Sequence, residues 1–307
     1  MRKKVSVFFR FIKQVISEYI ADNVLKYSAS LAYYTTLSLA PMLIIVISAS
    51  GLLFGEEAMR GEVYTEIRDM VGSKAAAQIQ DTMQNIHLNE GSSLSTIISL
   101  VVLLVGATGI FGEIQDSLNK IWGLKTINVR VWWKLLIDRL ISFSLIISLG
   151  FVMVVSLLLS AIVAAVSTHI AKFLGGSGEV MLLVTDNFLS VALTTTIFAI
   201  IFKVLPDAKI KWRDVIIGAL ITSVLFMIGK IVIGFYLGSS NLASVFGAAG
   251  SVIIIMIWVY YSSATLYLGA VFTKVYATNH GGKIQPNEYS VWIKVEEKPV
   301  SKVTLHD

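Results

Sequence analysis

Residues 252–276 read VIIIMIWVYYSSATLYLGAVFTKVY, with no charged side chain before Lys274. A helix of that length rises about 37 Å at 1.5 Å per residue, which exceeds the ~30 Å hydrocarbon core of a bilayer. A soluble domain cannot hide so much apolar surface, so the stretch reads as a transmembrane helix. Five further runs share its character, over residues 31–54, 94–111, 140–166, 180–205 and 215–237. Composition agrees: 55% of the chain is hydrophobic and 15% charged, whereas soluble domains carry about 25% charged residues. The sequence predicts an all-α polytopic membrane protein with six transmembrane helices in one bundle.

The basic residues orient that bundle. Of 25 Lys and Arg, 20 fall in the N-terminal segment, the connections after the second and fourth runs, and the C-terminal segment. The other three connections hold only Arg60, Arg68, Lys74 and Lys172. By the positive-inside rule both termini are cytoplasmic. The pattern predicts a cytoplasmic segment over 1–30, a membrane domain over 31–276 and a polar cytoplasmic tail over 277–307. In a bacterium this topology belongs to the plasma (inner) membrane. Because orientation accounts for most of the base excess, no nucleic-acid partner is expected.

In the first segment Phe8, Ile12, Val15, Ile16, Tyr19 and Ile20 recur at helical spacing with bases between them. Two readings stand side by side: an amphipathic helix on anionic lipid of the inner leaflet, or a helix packed against the bundle. The extracytoplasmic loop 55–93 carries two short amphipathic patterns and a net charge of minus four.

Chemistry-bearing motifs are few. Cysteine is absent and the four histidines are far apart, so neither a metal site nor a cofactor is expected. The acids Glu113, Asp116, Asp138, Asp207 and Asp214 are too scattered to mark a catalytic constellation. No enzyme activity is therefore expected.

Intramembrane charges need a reason, at roughly 2.5–3.5 kcal/mol each. Lys230 and Asp186 fall at matching depth in the outer halves of the fifth and fourth runs, with Asn187 adjacent. They are expected to face each other, the alternative being a lysine that snorkels. Gly106, Gly109 and Gly112 lead into Glu113 and Asp116, a face expected to pack closely or to line an inner vestibule. Pro41 is a predicted kink, with Tyr34 and Ser38 on its polar side. The charge-free stretch GSSNLASVFGAAGS, with Gly247 and Gly250, reads as a helix start or a cavity lining. Gly234 and Gly238 offer a contact for a possible homo-oligomer.

Three stretches carry a resemblance: YSASLAYYTTLSLAPMLII around Pro41, GATGIFGEIQDSLNKIWG around Glu113, and SVFGAAGSVIIIMIWVYYSSATLYLGAVFTKVYATNHG. In this order they resemble the YihY/BrkB family of bacterial inner-membrane proteins, from Tyr27 to Gly281. That family once carried a ribonuclease BN label, generally considered a misassignment, and its BrkB name comes from an association with serum resistance. Many members place an acid where this chain has Val271. Three functions follow as expectations: transport or translocation of a hydrophobic or amphiphilic solute such as lipid, a non-transporting envelope scaffold, and, least, a membrane hydrolase or nuclease.

Overall fold

A computed structural model describes residues 2–38, 109–127, 177–239, 249–280 and 282–293. The sequence begins with helix α1 (Arg2–Ala21), followed by a helical segment over 24–38, called α2. Helix α3 covers 109–121 and leads into strand β1 (Leu124–Thr126). Helix α4 (Ser177–Val204), strand β2 (Ala208–Lys209) and helix α5 (Trp212–Ser239) follow. Helix α6 (Ala249–Asn279) precedes strands β3 (Gln285–Pro286) and β4 (Ser290–Trp292).

Helices α4, α5 and α6 match the last three apolar runs, and each is long and apolar enough to cross a membrane. Pro206 lacks a backbone N–H and stops α4 one bend before β2, so α5 returns beside α4. Helix α5 packs against α4 on one side and α6 on the other, while α1 docks on α6.

The α5–α6 seam is built from two matching pairs. A Cβ added to Gly218 would lie 1.8 Å from Thr273 Oγ1, and one added to Gly269 would lie 1.8 Å from Thr222 Oγ1. Each threonine hydroxyl donates to the carbonyl of the glycine four residues before it, both at 2.7 Å. The hydroxyls are thereby satisfied within their own helices, and the bare glycine backbones admit the facing side chains. One contact further along, Tyr261 fills the space over Gly229 and donates to the Leu225 carbonyl at 3.1 Å.

Two left-handed residues punctuate the chain. Asn23 (φ 53°) separates α1 from α2, and Gly123 (φ 69°) ends α3 so that the backbone turns into β1.

The all-α expectation omits two short ribbons at the end of the bundle where α5 begins and α6 ends, here called the basic end. Strand β1 pairs antiparallel with β4, and β2 with β3. The segment 282–293 thereby binds two connections that are remote in sequence. Strands of two or three residues carry no period-2 signal, which is why the sequence does not announce them. Of the remaining expectations, the run 140–166, the loop 55–93, the later part of the first run and residues 94–108 of the second lie outside the described residues.

Candidate functional site

Two buried polar clusters meet at helix α3, and their chemistry differs. The first centres on Asp207, 6% exposed, in the α4–α5 connection. Its Oδ2 accepts from Asn119 Nδ2 and Thr126 Oγ1, both at 3.1 Å, and its Oδ1 from Asn287 Nδ2 at 3.3 Å. Its backbone joins in, for the Asp207 N–H donates to Asn119 Oδ1 at 2.8 Å. The Asp207 carbonyl accepts from the Ser290 hydroxyl at 2.6 Å and the Asn287 N–H at 3.1 Å. Burying a carboxylate is costly unless donors surround it. Here they come from α3, β1 and the 282–293 segment, so one side chain ties three remote pieces together.

The second cluster lies between α3 and α6. Ser117 is 1% exposed and Tyr267 is fully buried. The Ser117 and Tyr267 hydroxyls are close neighbours, and among the described residues neither makes a hydrogen bond of acceptable geometry. Glu113 is half-buried, one turn before Ser117 on the same helix face. The scaffold around them is fixed: Trp122, 1% exposed, donates from Nε1 to the Ala270 carbonyl at 3.1 Å and pins α3 to α6. Two hydroxyls and a carboxylate thus converge in a packed interior with hydrogen-bonding capacity unused.

The other predicted site residues divide. Asp116 is exposed, on a different face from Ser117. Ser38 is 8% exposed, and the Tyr34 ring lies over Gly109, whose added Cβ would sit 3.6 Å from Cδ1. An added Cβ at Gly112 or Gly234 meets no described atom within 4 Å. Gly250 is buried in the first turn of α6. Pro41, Gly106 and Gly247 lie outside the described residues, and Gly238 falls within the last turn of α5.

Lys230 is half-buried and lies two turns beyond Ser223 on α5. Ser223 Oγ donates to the Val191 carbonyl of α4 at 3.1 Å, and the Phe198 and Phe226 rings meet edge-on at 5.8 Å. Seven residues along α5 advance about 10 Å, and the same step back from Val191 along antiparallel α4 reaches residue 184. The side chain of Asp186 lies outside the described residues.

Sequence reasoning passed over Ser117, Tyr267, Asn287 and the α5–α6 glycines, and it placed Asn119 on the Glu113 face without its Asp207 partner. A signal existed for the last: Gly-x-x-x-Thr occurs at 218–222 and again at 269–273. Val271 is fully buried in the apolar core, so an acid in its place would need a partner of its own. Among the described residues no three His, Cys, Asp or Glu side chains form a group that could hold a metal ion.

Comparison with known proteins gives these features a setting. A family model described as "Virulence factor BrkB" matches residues 15–290. A UPF0761 membrane protein of Chromobacterium violaceum is 25% identical over 88% of this chain, which spans 63% of that relative's length. A ribonuclease-like protein, YfkH of Bacillus subtilis, is 26% identical over 91% of this chain and 98% of its own. UPF0761 membrane protein MS0032 of Mannheimia succiniciproducens is 23% identical over 90% of this chain and 92% of its own. No solved structure matches. With its apolar helices and a family match across almost its whole length, the chain is a membrane protein that belongs to the BrkB family.

Proposed function

We propose that the protein moves an amphiphilic solute, with phospholipid the first to test, past polar groups inside a six-span bundle of the bacterial inner membrane. Both termini lie in the cytoplasm on this reading, which rests on the basic residues crowding alternate connections. It carries out no covalent chemistry. The observation that carries the proposal is the pair of buried hydroxyls, Ser117 and Tyr267, which among the described residues make no hydrogen bond of good geometry, with Glu113 one turn from Ser117 on α3. Such groups cost stability, of order 1–3 kcal/mol each, and a solute headgroup that bonds them in passing supplies a reason to keep them. Lys230, half-buried two turns beyond Ser223 on α5, would extend the polar path in the other half of the bundle.

The test is reconstitution into vesicles holding a fluorescent phospholipid in both leaflets, followed by chemical reduction of the outer-leaflet label. Protein-containing vesicles are expected to expose the inner pool faster than protein-free vesicles. Equal rates would remove phospholipid as the solute. The non-transporting scaffold is favoured by the Asp207 cluster, which binds the basic end together; it predicts equal rates for every amphiphile tried.

A further inference from the structure

Helix α1 has two apolar faces, and among the described residues only one is covered. On the covered face Val15 is 5% exposed and Phe11 meets Phe272 edge-on at 5.2 Å. Lys274 reaches Glu18 at 3.0 Å and Asp22 at 3.2 Å, and Asn279 donates to Gln14 at 3.2 Å. These contacts fix the rotation of α1. Opposite them Phe9, Ile16 and Ile20 form one stripe at helical spacing, 68%, 53% and 69% exposed.

Two observations identify what covers that stripe. Only Asp22 and Asn23 separate α1 from α2, which leads into the apolar run from residue 31, so α1 is held within reach of a membrane surface. The charge is also one-sided. Arg10 and Lys13 are exposed on and beside the stripe, whereas the acids nearest them, Glu18 and Asp22, are both engaged by Lys274. The helix therefore offers its surroundings bases whose charge no acid on α1 offsets.

We infer that the Phe9–Ile16–Ile20 stripe lies at the boundary of headgroups and acyl chains in an anionic leaflet, with Arg10 and Lys13 on lipid phosphates. Burial of large apolar side chains drives the contact, and each base near the anionic surface strengthens it. The partner is the membrane in which the protein sits, held by a helix that the α6 clasp orients.

The absence of cysteine allows single labelling sites in the full-length protein. Ile16→Cys, and Ser17→Cys as an exposed control, each carry an environment-sensitive fluorophore in nanodiscs of phosphatidylcholine with or without phosphatidylglycerol. Brominated acyl chains report contact. Quenching at position 16 is expected to exceed that at 17 at least twofold, to rise with phosphatidylglycerol, and to lose that rise in an Arg10→Gln, Lys13→Gln background. Equal quenching at 16 and 17 would overturn the insertion. Quenching indifferent to anionic lipid would overturn the phosphate contacts. Disulfide crosslinking between unlabelled Ile16→Cys copies would overturn the lipid as occupant in favour of a second copy.

Discussion

Asn119 and Ser117 are two residues apart on α3, yet they enter opposite kinds of polar environment. Asn119 joins a cluster in which the Asp207 carboxylate accepts three side-chain hydrogen bonds. Ser117 faces an interior where, among the described residues, neither its own hydroxyl nor that of Tyr267 makes a hydrogen bond of good geometry. Both sets are buried, so burial alone does not separate structure from function. Satisfaction does. A saturated cluster gains stability and specificity, whereas unused hydrogen-bonding capacity is a cost that packing must offset.

The largest expected effect tests the saturated side. Asp207→Ala leaves Asn119, Thr126 and Asn287 without their acceptor and should destabilise the protein by about 3–5 kcal/mol. Thermal unfolding in detergent measures it. A loss under about 1 kcal/mol would show that the cluster does not hold the basic end together.

Next in size is the seam that holds α5 to α6. Gly269→Ala drives a methyl into Thr222 and should cost about 1–3 kcal/mol, while Gly112→Ala, with no described atom within 4 Å, should stabilise or change little. Equal unfolding midpoints for the two variants would remove the close approach from the account.

Smaller effects are expected at the α1 clasp. Lys274→Ala strands two carboxylates and should weaken docking of α1 by about 1 kcal/mol, read as faster amide exchange across α1. Burial raises the Asp22 carboxyl above its ordinary value of 3.8, and Lys274 opposes that rise only in part. The folded protein therefore holds this proton more tightly than the unfolded chain. The resulting stability is fully present below 3.8 and is lost as pH rises through the folded value. Asp22→Asn should accordingly leave α1 docked at neutral pH and flatten this pH dependence. A detached α1 in that variant would mean that the ion pair outweighs burial.

The spans were legible because length and hydrophobicity are local properties; α4, α5 and α6 fall where the apolar runs put them. The clusters were not, because their members are remote: Asn119 and Asp207 stand 88 positions apart, and Trp122 and Ala270 stand 148 apart. Charge at unexpected depth drew attention to Lys230, but a tyrosine and a serine in apolar helices give no such warning. Glu113 was visible as an acid after three spaced glycines; its neighbours Ser117 and Tyr267 required the packing of α3 on α6.

The variant expected to lose function without losing stability carries the most weight. Tyr267→Phe removes a hydroxyl with no well-aligned hydrogen bond among the described residues, so the unfolding free energy should stay level or rise by up to about 1–3 kcal/mol, while accelerated exposure of fluorescent phospholipid in vesicles should fall to the protein-free rate. Both are measured on one preparation. Retained translocation, or destabilisation as large as that of Asp207→Ala, would contradict the assignment of Tyr267 to a working interior site.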